Sequence, residues 1–168
     1  MTDIYAQTEK EYAEYCERFG GDLIITLNAQ HDKPTYESLS KMISKLFYKL
    51  ECDEYGYEKR ERYKKKCRIE RIVAIEQANK THAHVIVKRF GNKSDDTILA
   101  SVVAIWYELN DSAVDMLNSY LVSLDDIAIR NNKAVSGYVT KDVAKQLKQG
   151  NDVIDFRSSF ICKHSNKQ

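Results

Sequence analysis

His82-Ala83-His84 sets two imidazoles two residues apart. On a β-strand, residues at that spacing project to one face. The pair can therefore share a metal ion, or simply face solvent. Glu76 precedes it on the other side of Ala78-Asn79-Lys80-Thr81, a stretch of turn composition. A hairpin centred near Lys80 sets Glu76 across from His84, on the histidines' face. Two imidazoles and one carboxylate leave coordination positions open for water or substrate oxygens, which suits catalysis more than a structural role. Such mixed ligands suit Mn²⁺ or another transition ion and accept Mg²⁺ with its remaining waters. The plain alternative for Glu76 is a solvent-facing strand residue.

Tyr138-Val139-Thr140-Lys141 is the second constellation. Residues three apart share a helix face. A tyrosine can attack a phosphodiester and form a covalent phosphotyrosine. A free phenol ionises near pH ~10, so a neighbouring cation or metal helps it. Lys141 is spaced to supply that charge, or to orient the phosphate or a water. The spacing alone is unspecific: the chain has 11 tyrosines, and Tyr63-Lys64-Lys65-Lys66 repeats it inside a charge run. We read that upstream match as coincidence. In isolation, Tyr138 is an ordinary half-buried aromatic.

Residues 3–18 read as a charged helix ending at Gly20-Gly21, and Asp22 to Asn28 as a short buried strand. Pro34 and Thr35 open a helix to about Leu50, with Leu39, Met42, Ile43, Leu46, Phe47 and Leu50 recurring at three and four. Ile69–Gln77 and His82–Phe90 read as the two strands of the hairpin. Ser94 or Asp95 caps a helix that carries Ile98, Leu99, Val102, Val103, Trp106 and Leu109 on one stripe. That stripe makes Trp106 a core residue. Residues 111–121 are ambiguous, with a helix the favoured reading. Val122–Arg130 reads as a strand, Ala134–Lys148 as a helix and Val153–Cys162 as a last strand. The order is βαββαβ followed by a helix, which predicts an α+β, ferredoxin-like (RRM-like) fold: a central antiparallel sheet with helices packed on it.

At 168 residues and 43% hydrophobic content the chain fits one domain with a sizeable core. We divide it into an N-terminal helix over 1–20, a core over 21–162 and a tail over 163–168. A net charge of +1 excludes a global basic field, so nucleic-acid binding requires a local patch. Cys16, Cys52, Cys67 and Cys162 stand too far apart for a zinc knuckle or a CxxC pair, and read as reduced thiols of an intracellular protein. No signal peptide, membrane span or GxxxxGK[ST] phosphate loop is evident.

The local patch exists. Lys59, Arg60, Arg62, Lys64, Lys65, Lys66, Arg68 and Arg71 crowd one segment, interleaved with Tyr57 and Tyr63. Lys and Arg bind phosphates and aromatics stack on bases. The alternative is a solvated charged segment, partly neutralised by Glu58, Glu61 and Glu70. His31 reads as a surface-loop histidine, and His164 lies in a polar tail.

Leu23-Ile24-Ile25-Thr26-Leu27-Asn28, His82-Ala83-His84 and Tyr138-Val139-Thr140-Lys141-Asp142 occur in that order. This ordered set resembles the HUH endonuclease superfamily, specifically the single-tyrosine rolling-circle replication initiators (Rep proteins), over about residues 21–148. The resemblance implies an HUH endonuclease-like domain with its catalytic helix near the C-terminus. It implies Mn²⁺ or Mg²⁺ at Glu76, His82 and His84, Tyr138 as nucleophile and Lys141 assisting. Asn28, in the first motif, joins the basic segment as a DNA-contact candidate. The expected partner is single-stranded or hairpin origin DNA, with a separate helicase and host replication proteins, and no membrane. The expected location is the cytoplasm of a bacterial or archaeal host, or the nucleus for a eukaryotic virus. Many viral Reps carry a helicase after the nuclease, and these residues include none, which leaves both a stand-alone nicking protein and an excised domain as expectations. The interval from His84 to Tyr138 is long, which points to an insertion around 107–121.

Two other readings compete. A plasmid relaxase or single-tyrosine transposase shares the histidine pair, but relaxases often carry a third nearby histidine and such transposases usually lack the lysine. A non-catalytic single-strand-binding module is the reading of another class, although the central strands lack an aromatic-rich RNP pattern.

Overall fold

The structure, a computed structural model, describes residues 4–28, 35–77, 81–110, 143–149 and 153–162. The elements are α1 (Ile4–Phe19), β1 (Leu23–Asn28), α2 (Tyr36–Tyr55), α3 (Tyr57–Arg62), β2 (Arg71–Glu76), β3 (His82–Val87), α4 (Asp95–Leu109) and α5 (Val143–Lys148). The expected strand over 122–130 and the ambiguous stretch 111–121 lie outside the described residues. So do His31, Pro34, His164, the tail from 163, most of the turn before Thr81 and the expected 134–148 helix before Val143.

The chain is α+β. Its antiparallel sheet has the order β1-β3-β2, so the histidine strand is central. Side chains alternate between two covered faces, which is why the strands are buried along nearly their whole length. On one face Leu23, Ile25, Leu27, Val73, Ile75, Ala83, Val85 and Val87 pack against α2 and α4. On the other, Ile24, Ile72, Ala74 and Ile86 pack with Cys16 and Phe19 of α1 and Val143 of α5.

Local chemistry sets the helix ends. The Thr35 hydroxyl accepts from the Ser38 amide at 3.1 Å, capping α2. That helix outruns its expected end at Leu50 and stops at Gly56, whose φ of 81° favours glycine. Ser94 caps α4, accepting from the Thr97 amide at 3.3 Å. Asp95 and Asp96 then complement the positive end of the helix dipole. Arg89 grips Asp95 with two hydrogen bonds of 2.8 Å, joining β3's exit to α4. At Gly21 a Cβ would lie 2.2 Å from Ile86 Cγ2, so α1 meets the sheet this closely only with glycine there.

The expected strand over Val153–Cys162 is instead a broken edge. It touches β2 through two isolated bridges, Arg71 with Phe160 and Ala74 with Ile154. Asp155 accepts from the Arg157 amide at 3.1 Å and from Ser158 Oγ at 2.5 Å, which turns residues 156–158 out of the ladder. Ser159 Oγ then takes the Val73 amide at 2.9 Å, where a strand would have offered a carbonyl.

Candidate metal centre

Glu76 ends β2 and His82 begins β3. The ladder pairs Glu76 with His82 and Ala74 with His84. The expected pairing of Glu76 with His84 is thus corrected by two positions. Side-chain matching supplies the reason: in this register Ile72 faces Ile86 in the buried layer and Glu70 stands beside Lys88, its partner at 2.9 Å, whereas the expected register would set Ile72 against Lys88. A shift of two keeps the face, so all three candidate ligands still converge.

His82 Nε2 lies 3.3 Å from Glu76 Oε2, and His84 Nε2 lies 3.6 Å from Glu76 Oε1. One ligand atom from each residue falls within 4.8 Å of the others. Two ligands each ~2.1 Å from one ion stand at most about 4.2 Å apart, so modest side-chain rotation would close the group on an ion. The rings stand edge to face, at an interplanar angle of 88° with centroids 4.9 Å apart. The His84 side chain is 1% exposed and that of Glu76 6%, whereas His82 is 26% exposed. Solvent therefore reaches the cluster from the His82 side. Two imidazoles and a carboxylate, with one open side, can hold a divalent ion.

Thr26 completes the arrangement. It pairs with His84 across the β1–β3 ladder, and its hydroxyl lies 2.9 Å from His84 Nδ1. With Nδ1–H donating to that oxygen, the Nε2 lone pair points to the Glu76 side, the tautomer a metal requires. Thr26 lies inside the Leu23–Asn28 motif, which by itself assigns it no role. The available signal was parity, because β1's even positions face the side that β3's even positions face.

α5 covers this same face. Val143 is fully buried against Ile72, Ala74 and Ile86. The Gln146 side chain, also fully buried, accepts from the amide of Gln77, the residue after Glu76, at 3.2 Å. Tyr138, Lys141 and Asp142 lie outside the described residues. Asn28 sits half-buried at the end of β1, its carbonyl accepting from the Trp106 indole at 2.9 Å, while the Trp106 ring is core as expected.

The basic segment divides. Glu51, 1% exposed on α2, collects three arginines. Arg60 Nε donates to it at 2.6 Å and an Arg71 terminal nitrogen at 2.9 Å, while Arg68 Nε stands 3.7 Å away. Arg71 is 2% exposed, donates also to the Ser158 and Ile69 carbonyls, and lies over the Phe47 ring. Burial pulls its guanidinium down to about 10. Arg71 is therefore a core residue and not the phosphate contact its neighbourhood suggested. Its side chain alternates inward on a buried strand, which a count of charges cannot register. Lys59, Arg62, Lys64, Lys65 and Lys66 remain exposed, with Lys64 paired to Glu61.

Comparison of the chain with protein-family models, with curated proteins and with solved structures finds no match. Among the described residues no helix is long and apolar enough to cross a membrane.

Proposed function

We propose that this protein is a metal-dependent, HUH-type endonuclease that nicks and rejoins single-stranded DNA through Tyr138, in the manner of a rolling-circle replication initiator. The observation that carries the reading is the Glu76–His82–His84 cluster, at one end of the sheet where the central strand begins, and open on the His82 side. The position of α5 supports it. Val143 packs on the cluster's own face and follows Tyr138 by five residues, a length of chain that reaches at most about 18 Å. The α+β sheet is compatible with the ferredoxin-like order of such nucleases.

Mn²⁺ or Mg²⁺ held by Glu76, His82 and His84 would polarise the scissile phosphate and stabilise the charge that develops on it. With Nδ1–H donating to Thr26, His84 would present Nε2 to the ion. The Tyr138 oxygen attacks phosphorus in line, its proton passing to solvent. The bond to the 3′ oxygen breaks, and that oxygen leaves as a 3′-hydroxyl after taking a proton. The 5′ phosphate stays on Tyr138. Attack by a 3′-hydroxyl reverses the step and rejoins the strand. Lys141 favours the phenolate or steadies the phosphate. Origin DNA is the partner, met by the exposed part of the basic segment, and a separate helicase would extend the nick.

The test is Mn²⁺-dependent cleavage of pooled single-stranded oligonucleotides, read on a denaturing gel and by mass for a covalent adduct. Wild type should yield the adduct. Tyr138→Phe should bind DNA normally and cut none. Cleavage persisting in that variant removes Tyr138 from the mechanism. Metal-independent binding with no cleavage by wild type replaces the nuclease with a non-catalytic binding module.

A further inference from the structure

A cleft of about 700 Å³ opens at the end of β2 remote from the metal centre, lined by Lys65, Lys66, Arg68, Glu70, Phe160 and Ile161 among others. Its floor is a stack, with the Arg68 guanidinium 4.0 Å from the centroid of the Phe160 ring. Two backbone hydrogen bonds between Arg71 and Phe160, of 2.7 and 2.9 Å, fix that ring's position.

The local charge is unbalanced. Glu51 faces Arg60, Arg68 and Arg71 together. Glu70 is held by Lys88 at 2.9 Å. Lys65 and Lys66 are exposed and have no ion pair among the described residues. The buried Arg68 Nε has no hydrogen-bond partner, Glu51 being too far at 3.7 Å. The cleft therefore combines surplus positive charge with a planar cationic–aromatic platform. Phosphates meet the first and bases the second.

We infer that this cleft is a binding subsite for single-stranded nucleic acid, with phosphates on Lys65 and Lys66 and a base stacked at the Arg68–Phe160 platform. The inference deepens the proposed function and rests on it for the choice of DNA. The five residues from Arg71 to Glu76, at ~3.3 Å each, set the cleft about 17 Å from the metal centre. It acts as an anchor for strand flanking the nick and takes no part in the chemistry.

The test is equilibrium anisotropy of a fluorescein-labelled oligothymidylate on the full chain, across a salt series, without cleavage as a readout. Lys65→Ala/Lys66→Ala should weaken binding about tenfold and flatten the slope of log K against log salt by about 1.4, or ~0.7 per lost phosphate contact. Phe160→Leu, which keeps the backbone bonds, should weaken binding fivefold or more with the slope unchanged, by loss of base stacking. Lys41→Ala, on the exposed face of α2, should change neither. Wild type that fails to bind, an unchanged slope in the double lysine variant, or equal displacement by polyglutamate overturns the subsite. Wild type that binds with these changes but never cleaves keeps the subsite and removes the nuclease reading.

Discussion

The hydroxyl of Thr26 lies 2.9 Å from Nδ1 of His84, across neighbouring strands and 58 residues apart in the chain. The bond fixes which His84 nitrogen can act as a ligand. Thr26→Val keeps the shape of the side chain and removes the acceptor. We expect Mn²⁺ affinity to fall by about 10–100-fold, measured by titration calorimetry, with Thr26→Ser near wild type. An unchanged affinity in the valine variant would show that Thr26 does not orient the ligand.

Glu76 bridges both histidines. Wild type should melt at higher temperature with Mn²⁺, the native state gaining about 2.7 kcal/mol at 100 times Kd. Glu76→Gln, of nearly equal size, should show little or no such gain in a thermal scan. An equal rise in both proteins would mean that the ion binds elsewhere.

Glu51 is a buried carboxylate among three guanidinium groups. Glu51→Gln leaves those charges uncompensated and should cost about 3–5 kcal/mol in urea unfolding. Arg71→Met should cost less, because Arg60 and Arg68 still face the carboxylate and methionine fills much of the space. The reverse ranking would contradict the network as described.

Cys16 is buried between α1 and the sheet, and burial pushes its thiol up to about 12. At pH 8 it should be almost wholly protonated and shielded from a thiol reagent. Cys52, Cys67 and Cys162 are each partly exposed. Native protein should therefore react at these three, with the fourth thiol appearing on denaturation. Four fast-reacting thiols in the native state would rule out this packing of α1.

Much of the frame was legible along the chain because its signals are local. The 3.6-residue stripe in α2, the Thr35 and Ser94 caps and the apolar run of β1 each depend on near neighbours. The broken edge at 154–160 was not legible, because it arises from Asp155 and Ser159 competing with backbone partners supplied by β2.

Within the candidate site, alternation alone put Glu76, His82 and His84 on one face, since the strand period of two holds in any register of that parity. Register was decided by strand pairing: Ile72 meets Ile86 and Glu70 meets Lys88, which sets Glu76 against His82. Tertiary contact likewise decided the Thr26–His84 hydrogen bond, the cover that α5 provides and the burial of Arg71. Each is a contact between segments distant in sequence, and such contacts follow from how the two faces of the sheet are filled rather than from any stretch of residues read alone.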